Sequence, residues 1–255
     1  MHAGGYAFVS VESVSRRFKG LDAVRSVSLE VEKGRIFGLL GSDGAGKSTL
    51  LRMTATTIKP TSGRILVGGL DVVKDRDEVK TRIGYMPQRF GLYQDLSVEE
   101  NMDFFMDIYR ISGAERKRRK ERYLGFSSLT PFLGRLARDL SGGMKQKLAL
   151  ACVLVHQPEL LILDEPTNGV DPVSRREFWE ILGDMRASGM TIMVSTAYLD
   201  EGDLCDGLGL MHDSRLIAAG TPDSIRAGHD SLEEAMIALI QEEARGPASG
   251  DFQQP

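Results

Sequence analysis

The chain has 255 residues, 42% hydrophobic and 27% charged, with 32 basic against 36 acidic side chains and a formal net charge of −4. This composition is too apolar for a disordered chain, suits one large domain or one domain with two lobes, and argues against a generally basic nucleic-acid binder. Nothing approaches 18 consecutive apolar residues, and the two cysteines, Cys152 and Cys205, are too few for a disulfide framework or a metal cluster.

The opening Met1-His2-Ala3-Gly4-Gly5 has no basic segment followed by an apolar one, so no secretory leader is expected and the cytoplasm is the expected compartment. Residues 7–12 and 26–32 alternate apolar with polar side chains and predict strands. Lys33-Gly34 turns the chain into residues 35–40, an apolar run suited to a buried strand. A glycine-rich loop and a helix to about Thr57 follow, then another strand over residues 62–69. Residues 97–111 have helical periodicity, with Ser97 and Glu100 placed as a capping box. The dense charge run at residues 115–122 reads as a solvated helix face, with contact to anionic lipid or RNA as the sharper alternative. Beyond Pro158, strand-like runs at 160–163 and 191–194 alternate with a helical stretch at 174–186, the pattern of a parallel α/β sheet. A last helix is expected over residues 232–243, capped by Ser231 and Glu234. The tail at 244–255, rich in Gly, Ser, Gln and Pro, is expected to be disordered.

Gly41-Ser42-Asp43-Gly44-Ala45-Gly46-Lys47-Ser48-Thr49 matches G-x-x-x-x-G-K-[ST]. Its glycines let successive backbone N–H groups turn inward around phosphates, Lys47 offers a point charge to the β- and γ-phosphates, and Ser48 offers a hydroxyl to Mg²⁺. The apolar strand leading in and the helical stretch leading out are the context that this reading needs. Such a site also needs a carboxylate at the end of a neighbouring buried strand. Leu160-Leu161-Ile162-Leu163-Asp164-Glu165 supplies Asp164 for the metal and Glu165 to activate a water. The long separation between Lys47 and Asp164 leaves room for an inserted lobe.

Leu140-Ser141-Gly142-Gly143-Met144-Lys145-Gln146 resembles the LSGGQ-type signature of the ATP-binding cassette (ABC) ATPases, with Met144 in place of the usual Gln. The resemblance covers about residues 7–240. It implies an α/β fold with a P-loop NTPase core of ABC type, an antiparallel β subdomain and an inserted α-helical subdomain at about 89–150. It also implies that Ser141, Gly142, Gly143 and Met144 contact ATP held by an opposite cassette. Phe18 sits where the family has an aromatic that stacks on adenine. Gln88, in Gly84-Tyr85-Met86-Pro87-Gln88, resembles the loop glutamine that contacts Mg²⁺ and water and reports to the membrane partner. Asp171 resembles the residue that couples the two sites of a dimer, and before Pro172 it also suits a helix N-cap. Residues 85–93 and 141–147 are similar to ABC-2-type exporter ATPases, in particular to the amino-terminal cassette of tandem efflux ATPases. The implied partners are an ABC-2-type transmembrane permease and a second cassette, identical or distinct, with no nucleic acid. ATP and Mg²⁺ are the implied cofactors, and the implied location is the inner face of the cell membrane.

One departure matters. Family members carry a switch histidine after a strand ending in Ser/Thr-Thr-His, and here Ser195-Thr196 is followed by Ala197. A methyl group cannot hydrogen-bond a γ-phosphate, and loss of one positioned donor typically costs about 2.7–4 kcal/mol, or 10²–10³ in rate. None of His2, His156, His212 and His229 is assignable as a substitute; His156 and His212 are expected in solvent or capping roles. The expected function is an ATP-binding and ATP-hydrolysing subunit that powers an exporter, of multidrug-efflux kind, with an attenuated site of its own. In that case its signature would complete a site on a cassette that keeps its histidine. The alternatives are a homodimer in which Thr196, or Gln88 with Glu165, suffices; a regulatory cassette with little hydrolysis; and a non-transport ABC ATPase.

Overall fold

The computed structural model describes residues 7–245. Alternation in the first segment produces a long antiparallel hairpin, β1 (Ala7–Phe18) and β2 (Leu21–Glu32). Its turn is Lys19-Gly20, both at positive φ (43° and 90°), which matches the right-handed twist of the flanking strands. β1 runs to Phe18, past the alternating stretch, because Arg17 and Phe18 still pair with Asp22 and Leu21. β4 (Ser62–Val67) joins the free edge of β1, and the short β5 (Leu70–Asp71) completes a sheet of order β2-β1-β4-β5.

The second sheet has the order β10-β9-β3-β8-β7-β6. It comprises β3 (Ile36–Leu40), β6 (Ile83–Met86), β7 (Leu160–Asp164), β8 (Thr191–Thr196), β9 (Gly207–His212) and β10 (Arg215–Gly220). Pairing is parallel from β6 through to β9 and antiparallel only at the β10 edge. Every residue of β3, β7 and β8 is buried, as continuous apolar strands covered on both faces must be. Successive side chains of β7 split between two cores: Leu160 and Ile162 join Leu50 and Leu51 of α1 (Lys47–Thr54), whereas Leu161 and Leu163 join Leu148, Phe178 and Leu232. The second core is roofed by α5 (Gly142–Leu154), α6 (Pro172–Ala187) and α8 (Leu232–Arg245).

Between β6 and β7 lies a helical segment, α3 (Val98–Ile108) and α4 (Gly113–Phe126) with two 3₁₀ turns, leading into α5. α5 crosses position 150 without a break and packs on α3, α4, α6 and β6, so it belongs to both the helical segment and the sheet. The capping box at Ser97 is formed as expected: Ser97 Oγ accepts from the Glu100 amide at 3.2 Å and Glu100 Oε2 accepts from the Ser97 amide at 2.8 Å. α3 stops at Ile108 rather than 111, because Arg110 adopts φ 55°. α1 likewise stops at Thr54, short of Thr57, where Thr56 adopts φ 59°.

The charge run at 115–122 is not simply a solvated face. Arg116 pairs with Asp103 and Asp107, and Lys120 pairs with Glu99 and Asp103, so two of its eight residues clamp α4 to α3. Glu115 pairs with Arg118 and Arg119 within the helix, which neutralises much of the rest. α8 continues to Arg245, two residues beyond the expected end, and the remainder of the predicted tail lies outside the described residues.

Candidate nucleotide site

The strand order decides the site. β8 lies between β3 and β7, so the carboxyl ends of three adjacent parallel strands deliver the glycine loop, Thr196-Ala197, and Asp164-Glu165 side by side. Open parallel sheets bind ligands in the crevice beyond such ends. The loop backbone is held close to its surroundings. A Cβ on Gly41 (φ +150°) would stand 2.2 Å from the Met211 carbonyl oxygen, and one on Gly46 (φ +104°) 2.4 Å from that of Ala23. Gly46 is also the N-cap of α1, whose first amides face the loop.

Lys47 is buried, and its Nζ donates to the carbonyls of Gly41 (2.7 Å) and Ser42 (3.1 Å) while standing 3.7 Å from Glu165 Oε1. Ser48 Oγ donates to Asp164 Oδ1 at 2.7 Å, so the hydroxyl and carboxylate assigned to the metal are already in contact. Ser195 Oγ donates to the same oxygen at 2.8 Å and accepts the Glu165 amide at 3.1 Å. Glu165 Oε2 accepts from Gln88 Nε2 at 2.8 Å and from Asn168 Nδ2 at 3.1 Å. Glu165 itself sits at φ +49°, a conformation that costs a non-glycine residue about 1–3 kcal/mol and gathers at functional sites. A cleft of about 270 Å³ runs from residues 44–49 and Glu165 to Leu21, Ala23, Arg25 and Asp213. Among the described residues no group of three or more His, Cys, Asp or Glu side chains could hold a metal ion, so a cation here would depend on Ser48, Asp164, Gln88 and phosphate oxygens.

The other predicted residues lie around this centre. Phe18 is 37% exposed, carries the Arg16 guanidinium 4.3 Å from its ring centroid, and does not line the cleft. Ser141 caps α5, its Oγ accepting the Met144 amide at 3.3 Å, and Ser141 and Gly142 are exposed away from the cleft. Gly143 is buried where α5 meets α6: a Cβ there would be 2.4 Å from Ser174 Cβ. Asp171 caps α6 through the amides of Val173 (3.1 Å) and Ser174 (3.0 Å), and these bonds hold its carboxyl below the usual carboxylate range.

At Ala197 the structure leaves a void of about 140 Å³, lined by Asp43, Glu165, Thr167, Asn168, Thr196 and Tyr198 as well as Ala197. Thr196 is buried, its Oγ1 accepting the Tyr198 amide at 3.0 Å. His156 has neither a solvent nor a capping role. It is half-buried, hydrogen-bonds the Ile83 carbonyl at 2.9 Å and stacks on Tyr109 with centroids 4.2 Å apart. His212 ends β9 with a buried Nδ1 that has no hydrogen-bond partner among the described residues. Two site residues escaped the sequence reading, Ser195 and Asn168. A small hydroxyl residue directly after the buried apolar run at 192–194 was the available signal for Ser195; Asn168, three residues beyond Glu165, carried none.

Residues 24–168 match the family model described as ABC transporter. The chain belongs to the ABC transporter family. Within it the chain is similar to the probable multidrug ABC transporter ATP-binding protein YbhF of Escherichia coli (strain K12), 46% identical over 221 residues, which are 86% of this chain and 38% of YbhF. The chain therefore spans well under half the length of that relative. It is also similar to the linearmycin resistance ATP-binding protein LnrL of Bacillus subtilis (strain 168), 35% identical over 92% of this chain and 76% of LnrL. Among solved structures it resembles the dimeric post-hydrolysis state of the ATP-binding cassette MJ0796 bound to ADP and Pi, with 26% identity, a TM-score of 0.75, and coverage of 84% of this chain and 98% of that one. The ABC-type α/β fold expected from the sequence is the fold observed. No helix of this ABC cassette, among its described residues, is long and apolar enough to cross a membrane.

Proposed function

We propose that the chain is the ATP-binding and ATP-hydrolysing part of an ABC-2-type exporter of the multidrug-efflux kind, on the inner face of the cell membrane. The observation that carries the reading is the assembled centre in which Ser48 meets Asp164 while Lys47, Gln88 and Asn168 converge on Glu165. Lys47 would leave the loop carbonyls for the β- and γ-phosphates, and the turned-in amides of residues 44–49 would bind the phosphate oxygens. Ser48, Asp164 and Gln88 would hold Mg²⁺, which supplies charge neutralisation to the phosphates when bound. Glu165 would orient the attacking water and take its proton. Phe18, once released from Arg16, would stack on adenine.

The exposed start of α5 supports a face-to-face pairing in which Ser141, Gly142, Gly143 and Met144 meet nucleotide on a second cassette, with Asp171 beside them at the start of α6. The domain reading is one cassette over 7–240 with its helical segment at about 89–150. That segment is the element placed to transmit motion to a permease. A cavity of about 960 Å³ opens between it and the sheet beside Tyr85, and a permease segment seated there would sit next to the strand that leads to Gln88. Ala197 supports an attenuated site, and the same residue is what favours the second reading, a nucleotide-binding regulatory cassette with little hydrolysis.

The deciding experiment measures equilibrium binding and steady-state hydrolysis of Mg-ATP by the purified chain, alone and co-expressed with an ABC-2-type permease. Binding, slow turnover and recovery with the permease in the membrane fraction support the exporter reading. Binding without turnover under either condition favours the regulatory cassette, and absence of binding overturns both.

A further inference from the structure

The void beside Ala197 borders Glu165 on the side where the family's histidine would stand, so no side chain at position 197 reaches its carboxylate. Thr167, Tyr198, Thr196, Asp43 and Asn168 line that void beside Glu165 and Ala197. Thr167 Oγ1 donates to Glu201 Oε1 at 2.8 Å. The Tyr198 ring lies under the Arg175 guanidinium, 4.7 Å from its centroid, on the loop that Arg175 ties down through Asp200 at 3.0 Å. The Thr196 hydroxyl is buried, accepts the Tyr198 amide, and makes no hydrogen bond to Glu165 among the described residues. Asp43, when ionised, has no proton to give. Asn168 remains, and its Nδ2 is already 3.1 Å from Glu165 Oε2.

Gln88 binds the same oxygen at 2.8 Å from the opposite strand end, β6, so two neutral amides converge on one carboxylate oxygen while Lys47 faces the other at 3.7 Å. Gln88 and Lys47 are the groups that the proposed mechanism draws away, towards metal and phosphate. Asn168 is the donor that this mechanism leaves on Glu165. Its own amide donates to the Glu165 carbonyl at 3.2 Å, which fixes its backbone to the residue that its side chain orients.

We propose that Asn168 is the positioning residue for Glu165 in this cassette, and that its carboxamide keeps the carboxylate aimed beside a void that no side chain at position 197 fills. The proposal rests on the ATP-hydrolysis reading above and names a residue that reading does not use. A neutral donor on Oε2 orients the carboxylate and leaves Oε1 for the attacking water once Lys47 has moved to the phosphates. A hydrogen bond to a charged group is worth enough to move a rate about tenfold or more. Asn168 is exposed, so replacing it removes the bond with little loss of packing.

The test uses the full chain with Mg-ATP as the probe and compares the parent with Asn168→Ala, the isosteric Asn168→Asp, and Asn168→Ala combined with Ala197→His. ATP affinity and melting temperature are recorded beside kcat. The expected result is measurable turnover in the parent, a kcat about tenfold lower in Asn168→Ala with KM little changed, and a larger loss in Asn168→Asp. The new carboxylate beside Glu165 would also move the acid limb of the kcat–pH profile to higher pH, a change that a packing role does not produce. Adding the histidine to Asn168→Ala should return turnover to the parent's level or above. The proposal is overturned by a parent that binds ATP without turning over, by unchanged kcat in both single variants, or by losses that follow melting temperature with the acid limb unmoved. A chain that binds no ATP sinks the underlying reading first, and the inference with it.

Discussion

Lys47 and Glu165, the positive and negative groups of the candidate nucleotide site, face each other at 3.7 Å with side chains only 3% and 10% exposed. A buried pair of this kind is stable only while both partners remain, since removing one leaves an uncompensated charge. Here the loop carbonyls of Gly41 and Ser42 share the lysine, and two amides share the glutamate, so each charge has other partners to hold it when the pair opens. In the proposed function, this is the contact that nucleotide would separate.

Replacing Glu165 with Gln separates binding from chemistry. The amide keeps the side chain's size but cannot take a proton, so Mg-ATP affinity should persist while kcat falls by about 10² or more. Calorimetric binding beside a phosphate-release assay checks this. Retained turnover would remove Glu165 from the role of base.

Ala197→His should raise kcat by about tenfold or more, because it returns a positioned donor to a void already large enough to admit side-chain atoms. Steady-state kinetics of parent and variant at saturating Mg-ATP decide it. A brisk parent, unimproved by the histidine, would mean that the site is not attenuated.

Gly143→Ala should destabilise the fold. The added methyl meets Ser174 Cβ at 2.4 Å and Oγ at 2.5 Å, at the junction of α5 with α6. Forcing those helices apart costs about 1–3 kcal/mol. For a chain of this length that lowers the melting temperature by roughly 2–4 °C per kcal/mol, readable by calorimetry. Gly142→Ala, whose methyl would meet nothing closer than the Gly169 carbonyl oxygen at 3.9 Å, serves as the control.

Burial, with the Arg119 charge adding to it, holds the His156 imidazolium below its ordinary pKa of 6.5, against the opposing bond to the Ile83 carbonyl. The unfolded chain therefore takes up a proton at a pH where the folded chain does not. Stability should fall as pH drops below 6.5, by at most about 1.4 kcal/mol per pH unit from this group, until the folded-state pKa is reached. Melting temperatures from pH 7 downward, compared with those of His156→Gln, isolate the effect. Equal slopes in parent and variant would count against it.

Much of the site was legible in the sequence because its parts are local. The phosphate loop, the apolar run ending at Asp164-Glu165 and the capping box at Ser97 each depend on residues a few positions apart, and local hydrogen bonding enforces them. The misreadings involve partners far along the chain. The cations at 116 and 120 read as solvated because their acids, Glu99, Asp103 and Asp107, lie on a different helix. His156 read as a surface residue because Tyr109 and Ile83 come from other elements.

The sequence by itself determined the alternation that makes the hairpin sheet, the buried parallel strands, the phosphate loop and its acidic partners, and the absence of a histidine at 197. Only the tertiary structure decided that β8 lies between β3 and β7, so that Ala197 opens a void directly beside Glu165. It alone brought Gln88 and Asn168 to one oxygen of Glu165, and Ser195 to Asp164. The physical reason is that periodicity specifies which face of a strand is buried, whereas the order of strands in a sheet is set by how the connections between them pack. Hydrogen bonds between strand ends exist only once that order is made.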